Sequence, residues 1–230
     1  MTPKPDRTPP RVPPLSRVTV AEAALRLLNE TGLEKLTLRA IAAELDVKAP
    51  ALYWHFKNKQ ELIDEMATEM HRRMTADPAA VLPSHGAGAE GPEWRAMLLA
   101  GNRHLRRTLL SYRDGARVFS GSRFTGTGHG EQVEAHLRAL QEAGLGLPQA
   151  VRALATVFVY TLGFVTEEQG VHPVPGERRE GFDVAERGER LADYPLAAAA
   201  GSHLFEDFDA QFEEGLQLIL DGIAARYGAS

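Results

Sequence analysis

The sequence predicts an all-α protein in which a small helical head is joined by one linking helix to a larger helical body. Three observations carry that prediction. Apolar residues recur every three to four positions from Val18 to Ile223. Residues suited to start or stop helices (Ser16, Thr37, Asn58, Gly32, Gly144) stand where that periodicity begins or ends. No stretch alternates with the period of two that a half-buried strand requires.

Residues 1–14 are proline-rich, carry Lys4, Arg7 and Arg11, and lack periodicity, so they read as an extended, disordered arm. Helix one follows: Val18, Ala21, Ala24, Leu25 and Leu28 share a face, Ser16 or Thr19 can cap the start, and Gly32 can close the end. Thr37 suits the N-cap of a second helix, 38–45, with Leu38, Ile41, Ala42 and Leu45 on one side. Asp46-Val47-Lys48 breaks it, and Pro50 fits the first turn of a third helix, 50–56. Asn58 and Glu61 then cap a fourth, 59–75, striped by Leu62, Ile63, Met66, Met70 and Met74. Residues 76–92 are rich in Ala, Gly and Pro and read as a linker or helix break. The body reads as helices at about 93–111, 113–120, 129–143, 148–169, 196–204 and 208–227, with the polar stretch 170–194 as a mobile loop.

The chain has no cysteine, which excludes disulfides, zinc–thiolate sites and thiol catalysis. Its eight histidines show no H-E-x-x-H spacing, so neither a metal nor another cofactor is expected. The glycine-rich GSRFTGTGHG, 121–130, follows no strand and lacks the lysine of a phosphate-binding loop. Glu167-Glu168 and Glu213-Glu214 read as solvated charge, and no Ser/His/Asp set stands out, so an enzyme is not expected. No apolar run approaches about 18 residues and the N-terminus lacks a secretion signal, so a cytoplasmic protein with no membrane partner is the expectation.

Charge divides unevenly. Residues 1–60 hold ten Lys/Arg against six Asp/Glu, a net of +4, and the remainder nets −9. A basic head on an acidic body suits a protein that offers one end to a polyanion. Helices 38–45 and 50–56, separated by a short turn, make a helix-turn-helix whose second helix can enter a DNA major groove. Leu52 and Phe56 should face inward, which leaves Ala49, Ala51, Tyr53, Trp54 and His55 outward. Exposed aromatic residues in such a group need something to touch. Lys48, Lys57 and Lys59 flank them and suit phosphates.

The run LTLRAIAAELDVKAPALYWHFKNKQELID, 36–64, resembles the signature of the TetR family of bacterial repressors. LLSYRDGARVFSGSR (109–123), YTLGFVTEEQ (160–169) and EGLQLIL (214–220) resemble the body of that family's tetracycline-responsive members. The resemblance implies a homodimer on a palindromic double-stranded DNA operator, released by a small-molecule effector. It divides the chain into a DNA-binding domain, 15–60, and a ligand-binding and dimerisation domain, 61–230. DNA contacts are implied for Thr37, Arg39, Lys48, Ala49, Pro50, Ala51, Tyr53, Trp54, His55 and Lys59. Ala49 and Ala51 stand where the tetracycline-responsive members offer hydrogen-bonding groups. Alanine can meet a thymine methyl but cannot bond a base edge, so a different operator is expected. Arg7 and Arg11 of the arm could reach an adjacent minor groove.

For the effector, the resemblance points to Thr75, Gly101, Leu105 and Phe119 at positions where those members carry histidine, asparagine, phenylalanine and a metal-binding histidine. Arg123 and Glu167 are retained, and His136 replaces a glutamine. His104, Val133, Leu154 and Phe158 complete the candidate pocket. Without a histidine at 119, a magnesium–tetracycline chelate loses its inner-sphere contact. A metal-free effector of larger apolar area is expected, an antibiotic-like or polyketide-like compound. The apolar face Leu204, Phe205, Phe208, Phe212, Leu216, Ile219 and Ile223, with helix 148–169, suits a four-helix dimer interface. The alternative is a DNA-binding activator or architectural protein with the same head and no effector.

Overall fold

The computed structural model describes residues 15–76 and 93–228. The proline-rich arm and nearly all of the Ala/Gly/Pro linker lie outside the described residues. Helix α1, Arg17–Thr31, starts at Ser16, whose hydroxyl accepts the Thr19 amide at 3.1 Å. Thr19 is therefore inside the first turn and is not the cap. Gly32, with φ of 77°, ends the helix by donating to the Leu28 carbonyl at 2.8 Å. Helix α2, Leu38–Glu44, is capped by the Thr37 hydroxyl, and Asp46 turns the chain in a left-handed conformation, φ 52°. Helix α3 runs only Ala49–Tyr53, shorter than the expected 50–56. The Leu52 carbonyl accepts both the His55 and Phe56 amides. This tightened exit carries Phe56 into the head core while Trp54 stays outside.

Helix α4, Lys59–Thr75, is capped by Asn58 as expected. The remaining helices are α5, Glu93–Leu110; α6, Gly115–Phe119; α7, His129–Glu142; α8, Leu147–Val171; α9, Val184–Arg190; α10, Pro195–Phe205; and α11, Phe208–Tyr227. The described residues contain no strand. One core runs from Leu25, Leu28 and Phe56 of the head through Met66 and Met70 of α4 to Leu105, Phe119 and Val165 of the body. A second joins Trp94 and Leu98 to Val157, Phe212 and Leu216. Because α4 belongs to the first core, a shift of α4 has to involve both head and body.

Three findings depart from the sequence reading. Helix α9 falls inside the stretch expected to be a mobile loop. The Asp183 carboxylate caps it, and the Arg187 guanidinium lies 5.5 Å from the Phe205 ring centre while donating to the Ala197 carbonyl. Glu168 is not solvated. It is buried against Arg106, with oxygen–nitrogen distances of 2.7 and 2.9 Å, and Asp209 takes another guanidinium nitrogen at 2.6 Å. Glu213 is paired too, with Arg103. Finally, α8 is long and apolar enough to cross a membrane by length and composition, although the sequence showed no such run. In the fold it packs against α5, α6, α7 and α11 and carries half of the buried ion pair. Its apolar character thus serves as core in part.

The junction of α5 and α6 anchors the head. The Asp114 carboxylate accepts the Leu33 amide at 2.8 Å, and the Arg113 amide donates to the Asn29 side chain at 2.9 Å. Asp114 has a left-handed backbone, φ 56°, and a Cβ on Gly115 would lie 2.1 Å from the Leu109 carbonyl oxygen. Backbone cannot yield as a flexible side chain can. Gly115→Ala is therefore expected to cost about 2 kcal/mol by overpacking, read as a lowered urea midpoint with an unchanged slope.

Candidate nucleic-acid interface and effector cavity

In the head, packing sorts the residues of α3 and its exit. Leu52 and Phe56 are fully buried, as their spacing requires. Tyr53 is 54% exposed and Trp54 89% exposed. Pro50 is exposed, whereas Ala49, Ala51 and His55 are half-buried. The Arg17 guanidinium stacks 4.4 Å from the Phe56 ring centre, donates to the His55 carbonyl and pairs with Glu65 at 2.7 Å. These contacts tie the exit of α3 to α1 and α4, so the exposed aromatic pair stands on a fixed base. Thr37, Arg39, Lys48, Lys57 and Lys59, close to it in sequence, are exposed. Two have other engagements: the Thr37 hydroxyl caps α2, and the Lys59 ammonium donates to the Leu33 carbonyl at 2.8 Å.

In the body, α4, α5, α6, α7, α8 and the loop before α7 surround a cavity of about 330 Å³. Seven of the expected residues line it: Gly101, Leu105, Phe119, Val133, His136, Leu154 and Phe158. Four do not. Thr75 returns its hydroxyl to the His71 carbonyl, and His104 is hydrogen-bonded to the Met74 carbonyl at the end of α4. Arg123 is exposed, with its backbone amide on Asp64, and Glu167 is exposed one helix step away from the buried Glu168. The structure adds His71, Met74, Phe124, His129 and Gln132 to the lining. A sequence signal for part of this existed: 129, 132, 133 and 136 fall on one face of a helix. Nothing in the sequence placed the loop residue Phe124 against it.

The lining is mainly apolar, with an imidazole cluster along one side. The His71 ring lies 4.9 Å from Phe124 and 6.4 Å from His129, and its Nε2 is 3.2 Å from the Gln132 side-chain oxygen. His136 directs Nδ1 to the Gln132 carbonyl at 2.7 Å. Burial lowers the pKa of both His71 and His136 below the usual 6.5, since a buried imidazolium loses its hydration. Below that value the unfolded chain takes up protons that the folded protein resists, so stability falls as pH falls. Melting temperature is expected to decline from about pH 7 to about pH 5, less steeply in His71→Phe and His136→Phe.

Helix α4 also bonds directly to the loop between α6 and α7. Asp64 accepts the Arg123 amide at 3.1 Å and Thr68 accepts the Thr125 amide at 2.9 Å. His71 and Met74, further along the same helix, line the cavity. The same helix thus carries part of the cavity wall near its C-terminus and, through Glu65 in its N-terminal half and Arg17, supports the exit of α3.

The family model described as "Bacterial regulatory proteins, tetR family" matches residues 20–66, and that described as "Tetracyclin repressor-like, C-terminal domain" matches residues 87–227. The class A tetracycline repressor protein from transposon 1721 of Escherichia coli is 41% identical over 212 residues, spanning 90% of each chain. A possible TetR family transcriptional regulator from Streptomyces coelicolor A3(2) superposes with a TM-score of 0.75 at 39% identity, covering 91% of this chain and 99% of the other. BioQ crystallised with its double-stranded DNA operator gives a TM-score of 0.59 at 32% identity, covering 92% and 99%.

Proposed function

The chain belongs to the TetR family of bacterial transcriptional regulators, and from that membership we propose that it is a homodimeric repressor released from a palindromic operator by a small, metal-free aromatic effector. The observation that carries the DNA half of this reading is Trp54, a large aromatic side chain held in solvent beside Tyr53 on the outer edge of the helix-turn-helix. Arg39, Lys48 and Lys57 are exposed close by in sequence and suit phosphates, while Ala49 and Ala51 suit thymine methyl groups. The BioQ complex supports the same docking, since that relative was crystallised on its operator.

The effector half rests on the cavity and on α4. A ligand that binds more tightly when α4 is displaced shifts the protein away from its DNA-binding form. The cavity does not suit a magnesium chelate, despite the identity to the class A tetracycline repressor. Magnesium favours oxygen ligands, and among the described residues the side-chain oxygens of the lining belong to Asn102 and Gln132 alone. Asn102 accepts from Thr161 and Gln132 is engaged by His71. Phe119 lines the cavity at the position where the tetracycline-responsive members carry their metal-binding histidine, and its ring offers no donor atom. A well-formed cavity also favours this reading over an activator or architectural protein without an effector.

The dimer reading rests on apolar surface left open on the single chain: Val159 of α8 and Leu218 of α11 are both more than 60% exposed, whereas Phe212, Leu216 and Ile223 of the expected face are buried in the chain's own core. The test is a gel-shift titration against DNA upstream of the gene, repeated at several salt concentrations, followed by a release screen of aromatic compounds. A specific band that weakens steeply with salt supports the reading. Absence of any specific band overturns it.

A further inference from the structure

The cavity contains a built acceptor for one hydrogen bond. Among the described residues the hydrogen-bonding partner of His136 Nδ1 is the Gln132 carbonyl, which can only accept, so Nδ1 carries the proton. In the neutral ring the opposite nitrogen, Nε2, is then an acceptor. Among the described residues nothing occupies it. What faces it is Gly101 of α5: a Cβ built there would stand 3.3 Å from Nε2. Glycine inside an 18-residue helix is about 1 kcal/mol worse than alanine, so its presence opposes local stability. Here a side chain would crowd Nε2, and both residues line the cavity. Among the described residues the rest of the lining holds no carboxylate, lysine or arginine to act as counter-ion for a charged ligand.

Resting on the effector reading above, we propose that His136 Nε2, uncovered by Gly101, accepts a hydrogen bond from a hydroxyl on an uncharged, flat aromatic effector and so selects hydroxylated ring systems over unsubstituted or alkylated ones. Leu105, Phe119, Leu154 and Phe158 supply the apolar walls for the rings. Burial keeps the imidazole neutral, and hence an acceptor, near neutral pH.

The test uses three fluorescent probes of nearly one shape, phenanthrene, 2-hydroxyphenanthrene and 2-methoxyphenanthrene, titrated into the full-length protein and followed by anisotropy. The hydroxyl compound is expected to bind about tenfold more tightly than the methyl ether, which keeps the oxygen but lacks the proton. His136→Phe is expected to lose that preference, the hydroxyl compound then binding no more tightly than the methyl ether. Gly101→Ala, which favours the helix and so stays folded, should lose most of it by crowding Nε2. If phenanthrene binds but the hydroxyl confers no preference, or the preference survives His136→Phe, the hydrogen-bond assignment fails and the cavity reading stands. If the preference disappears in His129→Phe but not in His136→Phe, the assignment also fails. If none of the three probes binds, both the assignment and the aromatic-effector reading are overturned.

Discussion

A Tyr53→Ala/Trp54→Ala variant is expected to fold as the parent does and to lose on the order of 100-fold in operator affinity, about 3 kcal/mol. The two parts of this result have separate causes. Trp54 is almost fully in solvent and Tyr53 more than half, so truncating them removes little packing. A shift in Tm of no more than about 2 °C is therefore expected. In the complex both rings would be buried against the duplex from a base held by Leu52, Phe56 and Arg17. Flat, rigid aromatic side chains lose little conformational entropy on binding and dominate such interfaces. Quantitative gel shifts at fixed salt would check the affinity, and a thermal melt the fold. Unchanged affinity would remove α3 from the interface. A matched loss of affinity and stability would instead make the pair structural.

Glu168→Ala is expected to destabilise the protein by about 3 kcal/mol, whereas Glu167→Ala should change stability by no more than about 0.5 kcal/mol. Glu168 and Arg106 are both largely buried, and the guanidinium also lies 5.1 Å from the Phe212 ring centre and 5.8 Å from that of Phe164. Removing the carboxylate leaves a buried cation with only Asp209, itself exposed, as a counter-charge. The double variant Arg106→Met/Glu168→Leu should recover most of the loss, because an apolar pair of similar volume carries no desolvation cost. Urea denaturation of the three variants would measure this. Equal effects at 167 and 168 would show that burial at 168 contributes nothing.

These two sites mark how far a linear reading reaches. Trp54 could be placed outward because its neighbours Leu52 and Phe56 consume the inward face of a short helix, a matter of local spacing. Residues 167 and 168 are adjacent, and the family resemblance singled out Glu167, the one that the fold leaves exposed. One step along a helix rotates a side chain by about 100°, and the partner Arg106 lies 62 positions away. His71 and Phe124 entered the cavity by the same route, through elements brought together from distant segments. Helix α9 went unread because its stabilisation comes from Asp183 and from Arg187 against α10, in a stretch whose glycines and charges look like loop.

Local chemistry written in the chain determined the helix starts at Ser16, Thr37 and Asn58, the turn before Pro50, and the outward aromatic edge of the head. Caps, periodicity and proline act over a few residues and can be counted in one dimension. Only the packed chain decided that α3 stops at Tyr53, that Glu168 is the paired glutamate, and that Gly101 uncovers His136. Those outcomes depend on which side chains from remote segments compete for the same volume, and volume is filled in three dimensions.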